Sequence, residues 1–85
     1  MASVIWKYGP LNFDSLPVRG KPIKLDIQND LMHCWCLVEL DRDGNPDSSW
    51  KNVRVVGTGE NFVGRYIDTV QNKYGLVWHL IEETI

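Results

Sequence analysis

Ile23-Lys24-Leu25-Asp26-Ile27-Gln28-Asn29-Asp30-Leu31-Met32-His33-Cys34-Trp35-Cys36-Leu37-Val38-Glu39-Leu40 decides the fold. In its first part Ile23, Leu25 and Ile27 alternate with Lys24, Asp26 and Gln28, the two-residue period of a half-buried strand. Asn29 and Asp30 tolerate positive φ, so the pair makes a tight two-residue turn. The return strand, Leu31 to Leu40, carries Cys34, Cys36, Val38 and Leu40 on one side and His33, Trp35 and Leu37 on the other. A strand apolar on both sides is expected at the centre of a sheet, covered above and below.

Outward from this hairpin the texture stays strand, turn, strand. Val4 to Tyr8 is β-branched and aromatic, and Gly9-Pro10 stops it. Leu11 to Pro17 is short with a weaker pattern, and Arg19-Gly20-Lys21-Pro22 is a turn signal. Asp41 to Ser49 is the one long polar loop, and Lys51 to Val56 is a strand ended by Gly57-Thr58-Gly59. Glu60 to Val63 has room for one short helical turn. Gly64 to Gln71 and Gly75 to Glu83 form a second hairpin about Asn72 to Gly75, the latter strand again apolar on both faces. The reading is a mainly β chain, a single domain over residues 1–85, with six to seven antiparallel strands in a small sandwich or half-barrel. Two strands apolar on both sides leave two readings. Either a compact fold hides them, or the excess marks a subunit interface and a homo-oligomer.

A chain of 85 residues has room for one core. A domain of this size buries only about 60% of the surface its unfolded chain exposes, so self-association is a natural supplement. The hydrophobic fraction of 44% is that of a folded domain. A net charge of −2 argues against nonspecific duplex binding, which needs a positive surface to displace counterions. Met1 to Lys7 lacks the basic start and apolar run of a secretory signal. No apolar stretch approaches the roughly 20 residues of a membrane helix. A cytoplasmic place without membrane attachment is expected, with Cys34 and Cys36 as reduced thiols.

Catalytic and metal chemistry find little support. Cys34 and Cys36 share one side of a strand, about 6.5–7 Å apart at Cα, while His33 points to the other side and only His79 remains as a further ligand. Buried thiols are the plainer reading, and no cofactor is expected. The nucleophile-elbow, zinc-protease and Walker patterns are missing, so the chain reads as a binder and not an enzyme. Gly57-Thr58-Gly59 lets backbone N–H groups converge on an anion, with Arg54 before it and Arg65 after it, although such glycines more often just turn the chain. Four tryptophans are a surplus for this length. Trp6, Trp35 and Trp78 lie within strands and are expected mostly in the core, whereas Trp50 follows the polar loop and is expected to be exposed. Stacking on Trp6, Trp50 or Tyr66, with Arg54 or Arg65 on a phosphate, suits a nucleotide-type ligand or a protein partner. The candidate ligand-binding set is therefore Trp6, Trp50, Arg54, Thr58, Arg65, Tyr66 and His79.

Ile5-Trp6-Lys7-Tyr8, Ile27-Gln28-Asn29-Asp30, Trp35-x-Leu37-Val38, Val55-Val56-Gly57-Thr58-Gly59, Gly64 to Gln71 and Leu76 to Leu80 follow one another in order. This ordered set resembles a family of small uncharacterised proteins encoded by tailed bacteriophages and prophages. It departs from that pattern at Glu60-Asn61, where a histidine is common, and in the loop from Asp41 to Ser49. The resemblance implies a phage accessory protein in the host bacterial cytoplasm and supplies no catalytic residues. By analogy of class it suggests a counter-defence role, sequestering a nucleotide-derived immune signal in pockets formed by self-association. The alternatives are a protein inhibitor of a host defence enzyme, acting through Trp50 and the acidic loop, and a minor structural protein of the virion.

Overall fold

The computed structural model describes residues 2–84 and is all β among them, with no helix. Seven strands are laid out as β1 Ser3–Leu11, β2 Leu16–Arg19, β3 Lys21–Gln28, β4 Leu31–Glu39, β5 Trp50–Gly57, β6 Gly64–Gln71 and β7 Val77–Glu83. They form two antiparallel sheets, one ordered β1-β4-β3 and the other β2-β5-β7-β6. The sandwich expected from the alternating patterns is present. Glu60 to Val63 is irregular and holds no helical turn: Glu60 is drawn back onto Gly57, its N–H donating to the Gly57 carbonyl at 3.2 Å.

The turn at Asn29-Asp30 joins β3 to β4 with both residues at positive φ, 52° and 64°. That is the backbone a two-residue hairpin needs to match strand twist. The two sheets meet at a corner where Gly20, at φ 91°, links β2 directly to β3. A side chain there would run into the carbonyl oxygen of Leu37. On the far side the seam is closed by Asp68 of β6, whose Oδ2 accepts from the Leu25 N–H of β3 at 2.9 Å. A bulge between Tyr66 and Asp68 turns that carboxylate toward the first sheet.

Opposite residues of an antiparallel pair share a face, so the register sorts the side chains. Inside lie Val4 and Val38, Trp6 with Cys36 and Pro22, and Tyr8 with Cys34 and Leu25, set against Val18, Val53, Val55 and Leu80 of the second sheet. The core is wholly apolar, and no polar residue is buried among the described residues. Cys34 and Cys36 are free, buried thiols with sulfurs 3.7 Å apart. Their shared hydrogen bond raises the Cys34 thiol and lowers Cys36, and burial raises both.

Three strand expectations need correction. β4 is central in its sheet, but only one of its faces is covered: Cys34, Cys36 and Val38 are buried, while His33, Trp35 and Leu37 are half-exposed. The second sheet covers one side of the first, and nothing among the described residues covers the other. Ile23 does not follow Leu25 inward, because a bulge between Pro22 and Lys24 inserts it as an extra residue and leaves it 42% exposed. β1 also does not stop at Gly9-Pro10; it resumes pairing at Leu11 opposite Met32 after a register shift.

Candidate functional site

The sequence singled out residues that fall into three places. Arg54, Thr58, Tyr66 and His79 share the outer face of the second sheet. The register sets Arg54, Ile81 and Tyr66 in one row and Val56, His79 and Thr69 in the next. Val56 and Ile81 are buried there, so the polar side chains close over an apolar floor. His79 is held at both ring nitrogens, Nε2 sharing a hydrogen bond with Thr58 Oγ1 and Nδ1 with Thr69 Oγ1, each 2.9 Å. Tyr66 extends the chain, its hydroxyl 2.6 Å from Thr69 Oγ1.

This row corrects the expected electrostatics. Arg54 Nη1 is 3.3 Å from Glu60 Oε2, and its Nε is 3.5 Å from Glu83 Oε2. The other oxygen of Glu60 accepts from the Gly57 N–H at 3.2 Å. Glu60 therefore occupies the place at the Gly57-Thr58-Gly59 turn that the alternative reading gave to an external anion. Arg65 projects from the opposite side of β6 and pairs with Glu82 at 3.0 Å. Two arginines balanced by three carboxylates do not make a positively lined hollow.

Trp6 lies in the core, and Trp50 shares the outer face with Arg54 but stands at its far end. Trp6 is opposite Cys36, faces the interior and packs against the core. Trp50 is 59% exposed at the start of β5, four residues or about 13 Å from Arg54. The Arg19 guanidinium lies 5.5 Å from its ring centroid, a cation–π contact.

The feature that sequence reading missed is the outer face of the first sheet. Lys7, Trp35 and Lys24 form one row across β1, β4 and β3; Ile5, Leu37 and Lys21 form the next. Trp35 thus stands between two lysines on an uncovered sheet. It lines, with Ile5, Ile23, Lys24 and Asp26, a shallow hollow of about 340 Å³. The Lys7 ammonium is 5.8 Å from the indole centroid and donates to Gln28 Oε1 at 2.9 Å. Asp26 Oδ2 accepts from the indole Nε1 at 3.4 Å. Beyond this row His33 lies against Gly9, where an added Cβ would come within 2.8 Å of its ring. Its Nδ1 is buried without a hydrogen-bond partner. Apolar walls, an aromatic floor and lysines at the rim can hold a flat, anionic molecule. Pro22 was the one available signal: proline inside a strand marks an edge or a bulge, and the bulge is what turns Ile23 outward.

Two antiparallel sheets with one sealed core and two decorated outer faces define a small all-β domain. The chain belongs to the family described as a domain of unknown function (DUF7352), whose model matches residues 1–85. No curated protein and no solved structure matches it.

Proposed function

We propose that this chain is a non-enzymatic binding protein that takes up a nucleotide-derived ligand on the outer face of its first sheet. The base stacks on Trp35, its edge lies against Ile5 and Ile23, and Lys7 and Lys24 meet the phosphates. The observation that carries this reading is the row Lys7-Trp35-Lys24 on an uncovered sheet. Stacking is indifferent to base identity, because every base has a π-face. Asp26 adds selection, since a carboxylate beside the ring favours a base edge that presents N–H donors. With the resemblance to phage proteins, the role is sequestration of a nucleotide immune signal in the host cytoplasm.

Calorimetry against cyclic dinucleotides and ADP-ribose derivatives tests it. Heat of binding is expected from at least one of them. Trp35→Ala is expected to weaken that binding roughly 5- to 100-fold, the range of one lost stacking contact. His79→Ala, on the other sheet, leaves it unchanged. Silence from the whole panel, or full affinity in Trp35→Ala, overturns the reading.

The second reading, a protein inhibitor, is favoured by the exposed Trp50 with Arg19 against its ring, the residue types that dominate binding hot spots. It predicts a host enzyme whose inhibition is lost in Trp50→Ala and kept in Trp35→Ala. The opposite pattern rejects it.

A further inference from the structure

We infer that two copies of this chain join edge to edge through β1, in the antiparallel register that sets Ile5 against Ile5 of the second copy. The inference is independent of any ligand and starts from the backbone. Leu40 N–H donates to the Ala2 carbonyl at 2.9 Å, and Ser3 pairs with Glu39 next to it. Hydrogen-bonded and non-bonded pairs alternate along an antiparallel ladder. Val4, Trp6 and Tyr8 therefore turn their N–H and C=O groups toward β4, and Ser3, Ile5 and Lys7 turn theirs away from it. Glu39 confirms the phase: its N–H donates to Ser48 Oγ at 3.0 Å, and its carbonyl accepts from the Asp47 N–H at 2.7 Å, both on the side away from β1.

β1 is the edge of its sheet, so the outward groups of Ser3, Ile5 and Lys7 have no strand partner among the described residues. The other edges, β3, β6 and β2, are managed. β3 and β6 face each other across the seam that Asp68 bridges, and β2 is only four residues long and contains Pro17. Beyond Lys7 the free run of β1 ends at Pro10, which has no N–H to donate.

The register follows from matching outward groups to outward groups. Ile5 against its own copy pairs Ser3 of each chain with Lys7 of the other, and every outward group of the three residues finds a partner. Other registers that respect the alternation leave at least one of the three without a counterpart among them. The side chains agree with this choice. On the outer face, Leu37 and Ile5 of one copy continue into Ile5 and Leu37 of the second, burying an isoleucine that is 49% exposed in the single chain. Lys7 comes opposite Ser3 of the second copy and, one strand further, Glu39, so a basic residue meets an acidic one at both ends of the two-fold interface. A lysine on an edge strand ordinarily discourages pairing. Here a carboxylate in the matching row answers it, so the charge selects one register. The product is one continuous sheet with both Trp35 rings on the same face.

The test is solution mass by sedimentation across a wide concentration range, without nucleotide. The wild-type chain is expected to dimerise. Ile5→Pro removes an N–H that points away from β4 and adds bulk at the two-fold axis, and is expected to be monomeric. Lys7→Glu is expected to weaken the dimer about tenfold or more, and Lys7→Glu with Glu39→Lys to restore it. A wild-type chain that stays monomeric at every concentration overturns the inference, as does a dimer indifferent to Ile5→Pro. Should Ile5→Pro fail to fold, the charge exchange decides: a dimer unaffected by Lys7→Glu, or a double variant no tighter than Lys7→Glu alone, rejects this register.

Discussion

Single residues show where the fold is unforgiving and where it is open. Gly20 is the sharpest case: its φ of 91° is a conformation that side chains rarely adopt, and the Leu37 carbonyl fills the space a Cβ would need. Gly20→Ala must open the corner between β2 and β3. It is expected to destabilise the domain by at least about 2 kcal/mol, which for a domain of this size lowers Tm by roughly 8–16 °C. Thermal unfolding followed by circular dichroism checks it, and an unchanged Tm would show that the corner relaxes freely. At Trp35 the same scale bears on function. An indole half-exposed between two lysines is spare apolar surface, whereas Trp6 spends its ring on the core. Arg54 and Arg65 teach the reverse lesson. Their charge was legible in the sequence, but each is matched by carboxylates, Glu82 and Glu83 brought near by strand register and Glu60 by the turn after β5, and both are properties of the folded chain.

At the scale of strands, the two sheets depend on few links, and Asp68 is one of them. Its carboxylate satisfies the Leu25 N–H across the seam, next to a side chain only 2% exposed. Asp68→Ala leaves that donor without its partner and is expected to cost about 1–3 kcal/mol. Hydrogen exchange at Leu25 should accelerate more than at Cys36 near the middle of β4, and equal protection at both positions in the variant would place the seam elsewhere. The elements themselves were largely legible from two-residue alternation and turn chemistry. Asn29-Asp30 and Asn72 to Gly75 mark hairpins because few other residues accept the backbone those turns need. What the alternation did not convey is how many layers cover a strand. Leu31 to Leu40 reads as apolar on both sides, and a sequence does not distinguish a strand with two covers from one with a single cover and a sticky outer face. The bulge at Ile23 was hidden for a related reason: one inserted residue flips the face of a side chain without altering composition. The candidate site suffered most from this. Arg54, Thr58, Tyr66 and His79 do converge on one face, but Glu60 and Glu83 neutralise its cation, and the platform around Trp35 depends on the facts that alternation conceals.

The whole molecule is a thin two-layer body of 44 × 29 × 16 Å, and that shape explains its surplus of exposed apolar groups. One layer of side chains between two small sheets is all the core it has, so both outer faces meet solvent. The two faces are unlike. Over the second sheet a hydrogen-bonded row and two carboxylates, Glu60 and Glu83, close above Val56 and Ile81, while over the first sheet Ile5, Ile23 and Trp35 lie beside lysines with no cover among the described residues. The proposed recognition belongs to the open face of the first sheet. Nuclear magnetic resonance titration with a cyclic dinucleotide that gives heat in calorimetry tests it most directly. Shifts are expected to concentrate at the Trp35 indole N–H, Ile5, Ile23, Lys24 and Asp26, with Gly57 to Glu60 and His79 unmoved. Shifts centred on Arg54, Gly57 and His79 instead, with the Trp35 indole signal in place, would contradict it.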